Sequence, residues 1–182
     1  MKNAIVLESH NEILSAHMRG EYPELALVIP AKEAEPSETK DNISTEKYEV
    51  GKYYSGLGIY AGELKKQDGF YGIFAALQDA GEKDDDGDSQ EYTWEDTMRL
   101  SLPEGYRVPD IRELTLIHLN IDDVNAGLSA AGGEKFEGWY WSSTEYDSSS
   151  AWILRMSDGD RFGNYKNVTN SKYVRPVLAL KL

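Results

Sequence analysis

The side chains best suited to chemistry in this chain are acidic and lie together. Glu82-Lys83-Asp84-Asp85-Asp86-Gly87-Asp88 is an oxygen-rich run of the kind that holds calcium. Aligning Gly87 with the obligatory glycine of an EF-hand puts Glu82, Asp84 and Asp86 at the first three ligand positions, but Thr93 falls where a bidentate glutamate must stand. The flanking helices of such a site are missing too, so the run reads as a solvated, self-repelling loop, with calcium binding left open. His10, His17 and His118 offer neither a metal-ligand spacing nor a triad partner, and His118, one step past Ile117, reads as a partly buried helix residue. There is no Gly-x-Ser-x-Gly elbow and no phosphate-cradling glycine loop with a lysine. Adjacent carboxylates such as Glu95 and Asp96 point in different directions on a helix. The chain has no cysteine, which removes thiolate nucleophiles, disulfides and Cys-ligated zinc. No catalytic residue, metal or cofactor is expected, and the chain reads as a binding protein, not an enzyme.

Trp139, Trp141 and Trp152 could stack on sugars, but tryptophans at alternating positions of a strand are more often core, and that is the reading taken. Arg175, just before Pro176, reads as a structural clamp on a buried acid or on backbone carbonyls, with Glu145 as its candidate partner.

The elements that must position these residues follow from patterning. At 182 residues the chain has room for one well-buried domain and a small appendage. Residues 1–29 carry two short apolar runs around Ile13–Met18 and read as a strand and helix segment that could serve as an adaptor. Residues 30–47 are Lys, Glu, Pro, Ser and Thr with hardly an apolar side chain, a linker or exposed loop. The main domain spans 48–182. Aromatic, glycine-punctuated stretches at 53–62 and 69–77 predict strands. Thr93 caps a short helix with Trp94 and Met98 facing inward. Asp110 and Glu113 form a capping box ahead of Leu114, Ile117 and Ile121, and a further helical turn holds Val124 and Leu128 before Gly132-Gly133. Strands follow at Trp139–Trp141, at Trp152–Met156 and at 173–180.

The formal charge of -13 argues against nucleic acid or an anionic membrane surface as the main partner. Met1–Glu8 holds an apolar run of only four residues, no secretory signal, and nowhere do eighteen apolar residues run together. The expectation is cytoplasmic synthesis without membrane insertion, compatible with release in a virus particle.

Gly105-Tyr106-Arg107-Val108-Pro109 before the capped helix, Ala130-Ala131-Gly132-Gly133 after it, Trp139-Tyr140-Trp141-Ser142-Ser143-Thr144-Glu145, Ala151-Trp152 and Val174-Arg175-Pro176-Val177 come in an order that resembles the C-type-lectin-like domains of phage and bacterial variable proteins. These are the targets of diversity-generating retroelements, a group related to the phage major tropism determinant and similar in fold to formylglycine-generating enzymes. The resemblance implies an α+β fold, with two helices and twisted antiparallel sheets, whose C-terminal face displays ligand-contacting residues. The cysteine-dependent oxidation of formylglycine-generating enzymes and calcium-dependent sugar binding do not carry over, since the residues they need are missing.

Related sequences carry asparagine-rich stretches in that segment, and asparagine codons randomised at their first two bases cannot yield Trp, Met, Lys, Glu or Gln. Trp152, Met156, Lys166 and Lys172 therefore read as framework. The ligand-binding set is Asp147, Ser149, Ser150, Ile153, Arg155, Ser157, Asp158, Asp160, Phe162, Asn164, Tyr165 and Val168. Strand parity supports it independently: Ile153, Arg155 and Ser157 point away from the face of Trp152, Leu154 and Met156, and Asp160, Phe162 and Asn164 share a parity. Phe162 and Tyr165 are the natural hot spots. The function expected is recognition of a host or cell-surface protein or glycan receptor. The alternative is a structural or assembly module of a virion or surface complex, in which the same surface packs against sister subunits as a homo-oligomer or on a virion scaffold.

Overall fold

A computed structural model of the protein describes residues 48–83, 89–167 and 170–182. The expectations for residues 1–29 and 30–47, for the centre of the acidic run and for Val168 lie outside the described residues.

The strands are β1 (Tyr53–Tyr54), β2 (Gly58–Lys66), β3 (Gly69–Ala75), β4 (Tyr106–Arg107), β5 (Trp139–Glu145), β6 (Ser150–Arg155), β7 (Arg161–Tyr165) and β8 (Val177–Lys181). The helices are α1 (Trp94–Thr97), α2 (Ile111–Leu119) and α3 (Ile121–Ala130). One sheet has the order β1-β2-β3-β8-β4 and the other β5-β6-β7, with every pair within them antiparallel. The expected α+β class is corrected by this count: eight strands against three short helices, 18% helical, make the described part β-rich. The reason is physical. A capping box and apolar spacing announce a helix locally, whereas strands as short as β1 and β4 exist only because a longer neighbour supplies their hydrogen bonds.

The helical starts behave as their residues dictate. Thr93 accepts from the Asp96 amide and caps α1. Asp110 accepts from the amides of Arg112 and Glu113, while Glu113 returns a bond to the Asp110 N–H. Met98 is 47% exposed, against expectation, because α1 lasts one turn and its inward position is Thr97. The last strand starts at Val177 instead of Tyr173, since Tyr173 makes a separate parallel bridge to Tyr140.

One core joins both sheets and the two longer helices. Ile59, Ile73 and Val177 come from the first sheet, Tyr140 and Leu154 from the second, and Leu114, Ile117, Val124 and Leu128 from α2 and α3. Each such aliphatic side chain contributes about 1.5–3 kcal/mol by leaving water. The second sheet is buried on its other face as well. There Trp141, Ala151 and Ile153 pack with the partly buried Trp94 and Trp139.

Candidate functional site

The register of the three-stranded sheet sorts the candidate residues. Trp139 pairs with Arg155, Trp141 with Ile153, and Ile153 with Phe162, so these share a face with Ala151 and its partner Asn164. Tyr140, Leu154, Trp152, Gly163, Ser150 and Tyr165 occupy the other face.

Ile153 is fully buried, which corrects its place among outward residues. Parity set it on the expected face, but α1 and Trp141 cover that face at its centre. Ser150 is also buried, 6% exposed at the start of β6. Asp147, Ser149, Ser157, Asp158, Asp160, Phe162 and Tyr165 are exposed, and Arg155 and Asn164 are half-buried. They do not form one surface. Asp147 and Ser149 lie in the β5–β6 turn and Ser157, Asp158 and Asp160 in the β6–β7 turn, at opposite ends of a six-residue strand and so roughly 17–20 Å apart.

The tightest group lies at the second turn. The Arg155 guanidinium sits 4.9 Å over the Trp139 ring, and Phe162 meets the same indole edge-on with centroids 5.0 Å apart. Arg155 Nε donates to Asp158 Oδ1 at 2.8 Å, and Asp160 lies 3.7 Å from the same guanidinium. The bond from Arg155 holds the Asp158 carboxyl below the usual carboxylate range. From below, the turn rests on α2: His118 Nδ1 lies 3.0 Å from the Met156 carbonyl, and a Cβ on Gly159 would fall 2.4 Å from His118 Nε2. The half-buried His118 expected from its helical position is what the fold contains.

The first turn is held by a different device. Asp147 Oδ1 accepts from the Ser149 amide at 2.8 Å and from its hydroxyl at 3.0 Å, which holds the Asp147 carboxyl low. Lys166 Nζ donates to Glu145 at 2.7 Å and to the carbonyls of Asp147 and Ser148, with its ammonium 4.5 Å over the Trp94 ring. Tyr146 packs edge-on against Trp152 at 4.8 Å and lies over Gly163.

Sequence reasoning missed Trp139 and Tyr146. Trp141 is buried as expected of a core tryptophan, but Trp139 is half-buried and Tyr146 is 56% exposed. The signal available was position: Trp139 begins β5 and Tyr146 follows its end. Glu145 is not the partner of Arg175. It is exposed and bonded to Lys166, while Arg175 is bound to Asp79.

Away from this sheet, a cleft of about 580 Å³ lies between Leu77, Tyr92, Leu102, Tyr106 and Pro176. None of the candidate residues lines it, and the acid in its wall, Asp79, is already bonded to Arg175. Among the described residues no group of three or more His, Asp or Glu side chains is placed to hold a metal ion, and no helix is long and apolar enough to cross a membrane.

No protein-family model matches the chain, and no curated protein matches it significantly.

Proposed function

We propose that this chain is a non-enzymatic recognition protein whose ligand surface centres on Arg155 and Phe162, takes in the turn from Ser157 to Asp160, and extends along β7 to Asn164. The observation that carries this reading is the Arg155–Trp139–Phe162 stack. Phe162 is 44% exposed on a regular strand backed by the fully buried Ile153 and Trp141. An aromatic ring and a guanidinium held rigid at the surface lose little entropy on binding, and these residue types dominate interface energies. The ligand proposed is a protein or glycan on a host or cell surface, met by a chain made in the cytoplasm and carried on a virion.

The proposed origin is a variable protein of a phage or bacterial diversity-generating retroelement. In its favour, residues that randomised asparagine codons cannot produce hold the frame: Met156 is buried, Trp152 packs on Tyr146, and Lys166 ties the first turn. Ile153 and Ser150 belong to that frame by burial, so the variable surface is smaller than the sequence set.

Two experiments test the reading. Sequencing the DNA around the coding segment should find a reverse transcriptase and a near-copy of the Gly138–Leu182 stretch that differs at adenines; finding neither removes the retroelement origin. Screening the full chain on protein and glycan arrays should yield a ligand whose affinity drops at least about tenfold in an Arg155→Ala, Phe162→Ala double variant. Unchanged binding to every ligand found would overturn the proposed site.

A further inference from the structure

Among the described residues the three-stranded sheet has one open edge, and its geometry is fixed by bonds just beyond the strands. Met156 N donates to Gly138 O at 3.0 Å, so the even-numbered residues of β6 bond towards β5. Arg155 N donates to Asp160 O at 2.9 Å and Lys166 N to Ser149 O at 3.0 Å, so the odd-numbered residues of β6 bond to the even-numbered residues of β7. The amides and carbonyls of Arg161, Gly163 and Tyr165 therefore point outward, away from β6. The Tyr165 amide rests on its neighbour's side chain, Asn164 Oδ1, at 2.9 Å. Among the described residues nothing bonds the amides of Arg161 or Gly163, and β7 pairs with no strand but β6. The opposite edge is closed, because Trp141 N donates to Tyr173 O and Tyr173 N to Trp139 O, both at 3.1 Å.

We propose that this edge pairs with the same edge of a second copy of the chain, antiparallel about a two-fold axis through Gly163, joining two three-stranded sheets into one of six strands. An unpaired row of backbone donors and acceptors is a template for another strand. What selects a second copy is the self-complementarity of Arg161-Phe162-Gly163-Asn164-Tyr165. Centred on Gly163, the pairing sets Arg161 opposite Tyr165 of the partner subunit and Phe162 opposite Asn164 of the partner subunit. A cation meets an aromatic ring, an apolar side chain meets an amide, and no like charges oppose. Charge points the same way: a chain with a formal charge of -13 repels its copies over most of its surface, whereas the strand Arg161–Tyr165 holds one cation and no acid.

The two-fold axis is perpendicular to the sheet, so the Arg155 and Phe162 of both copies emerge on one face. If the recognition reading holds, the dimer presents two plates side by side and gains avidity on a repetitive surface. The strand pairing itself does not depend on that reading.

Sedimentation equilibrium of the full chain from about 1 µM to about 1 mM should show a reversible monomer–dimer equilibrium. Arg161→Pro removes an outward donor and leaves the bonds to β6 intact, and the two-fold axis removes it twice, so the dimer should weaken at least about tenfold. Hydrogen exchange supplies a second readout that needs no variant. The amides of Arg161 and Gly163 should exchange freely at low concentration and slow as the dimer fills. A chain that stays monomeric throughout overturns the proposal, whether the edge is bare or takes a different polypeptide. So does a dimer in which those two amides remain unprotected, because it is joined elsewhere.

Discussion

Arg175 Nε donates to Asp79 Oδ1 at 2.5 Å across ninety-six positions of sequence, with the two side chains 0% and 4% exposed. The rest of the site completes the bonding. Tyr140 donates its hydroxyl to Asp79 Oδ2 at 3.0 Å, Arg175 Nη1 donates to the Glu134 carbonyl at 2.8 Å, and the guanidinium lies 4.4 Å over the Phe136 ring. Burial pushes the Asp79 carboxyl up, opposed by Arg175 and Tyr140. The pair ties the segment after β3 to the one before β8, and removing one partner strands the other charge in the core. Asp79→Ala should cost about 3–5 kcal/mol in urea denaturation at unchanged m-value. A loss below about 1 kcal/mol would mean that the pair is not a lock.

Glu113 contributes stability that acid removes. Burial pushes its carboxyl up, but two bonds from Arg107, one from the Asp110 amide and one from Lys66 outweigh it and hold the group below its ordinary value. Below that ordinary value the unfolded chain takes up this proton first. The stability is therefore present above the unfolded carboxylate range and is lost as pH falls through the folded value. Asp79, shifted upward, works with the opposite sign. The measurement is the urea midpoint from neutral pH into the acid range for wild type and Glu113→Gln, and the difference between the two should shrink as pH falls. A constant difference would contradict the assignment.

Gly127 should resist replacement by a better helix former. An alanine gains about 1 kcal/mol in a helix interior. At this position of α3, however, a Cβ would fall 1.7 Å from the Gly51 carbonyl oxygen, which is backbone and cannot rotate aside. Gly51 itself has φ 81° and leaves through a tight turn into β1. Overpacking against fixed backbone outweighs propensity, and Gly127→Ala should lose about 2–4 kcal/mol in thermal or urea unfolding. A stabilised variant would show that the contact between α3 and the turn at Gly51 is loose.

The helices were legible in sequence because their causes are local: Asp110 and Glu113 satisfy one another three residues apart, and Leu114, Ile117, Val124 and Leu128 fall on the faces their spacing assigns. The clamp role of Arg175 was legible from an arginine set between Val174 and Pro176-Val177 in an apolar stretch. Its partner was not, since Asp79 is brought to it only by the sheet order β3-β8. The β-rich class was hidden because β7 has no apolar alternation and β4 is a two-residue strand lent its bonds by β8. For the candidate site, parity grouped Arg155 with Ile153 and Phe162 with Asn164, but it carries no information about what another element lays over those residues.

Ile153 is where that distinction can be measured. A purely sequence-based reading makes it a contact residue free to vary; the structure puts it at 0% exposure between Trp141 and Phe162 on its pairing strands, under the α1 side. Ile153→Ser removes buried methyl groups, leaves a cavity and buries a hydroxyl, and should cost about 3 kcal/mol or more. Arg155→Ser and Phe162→Ser, at partly exposed positions of the same face, should each cost less than half of that. The three variants compared by urea denaturation separate frame from display surface without knowledge of the ligand. Equal losses at all three positions would mean that the Arg155–Trp139–Phe162 stack holds the sheet together instead of standing on it.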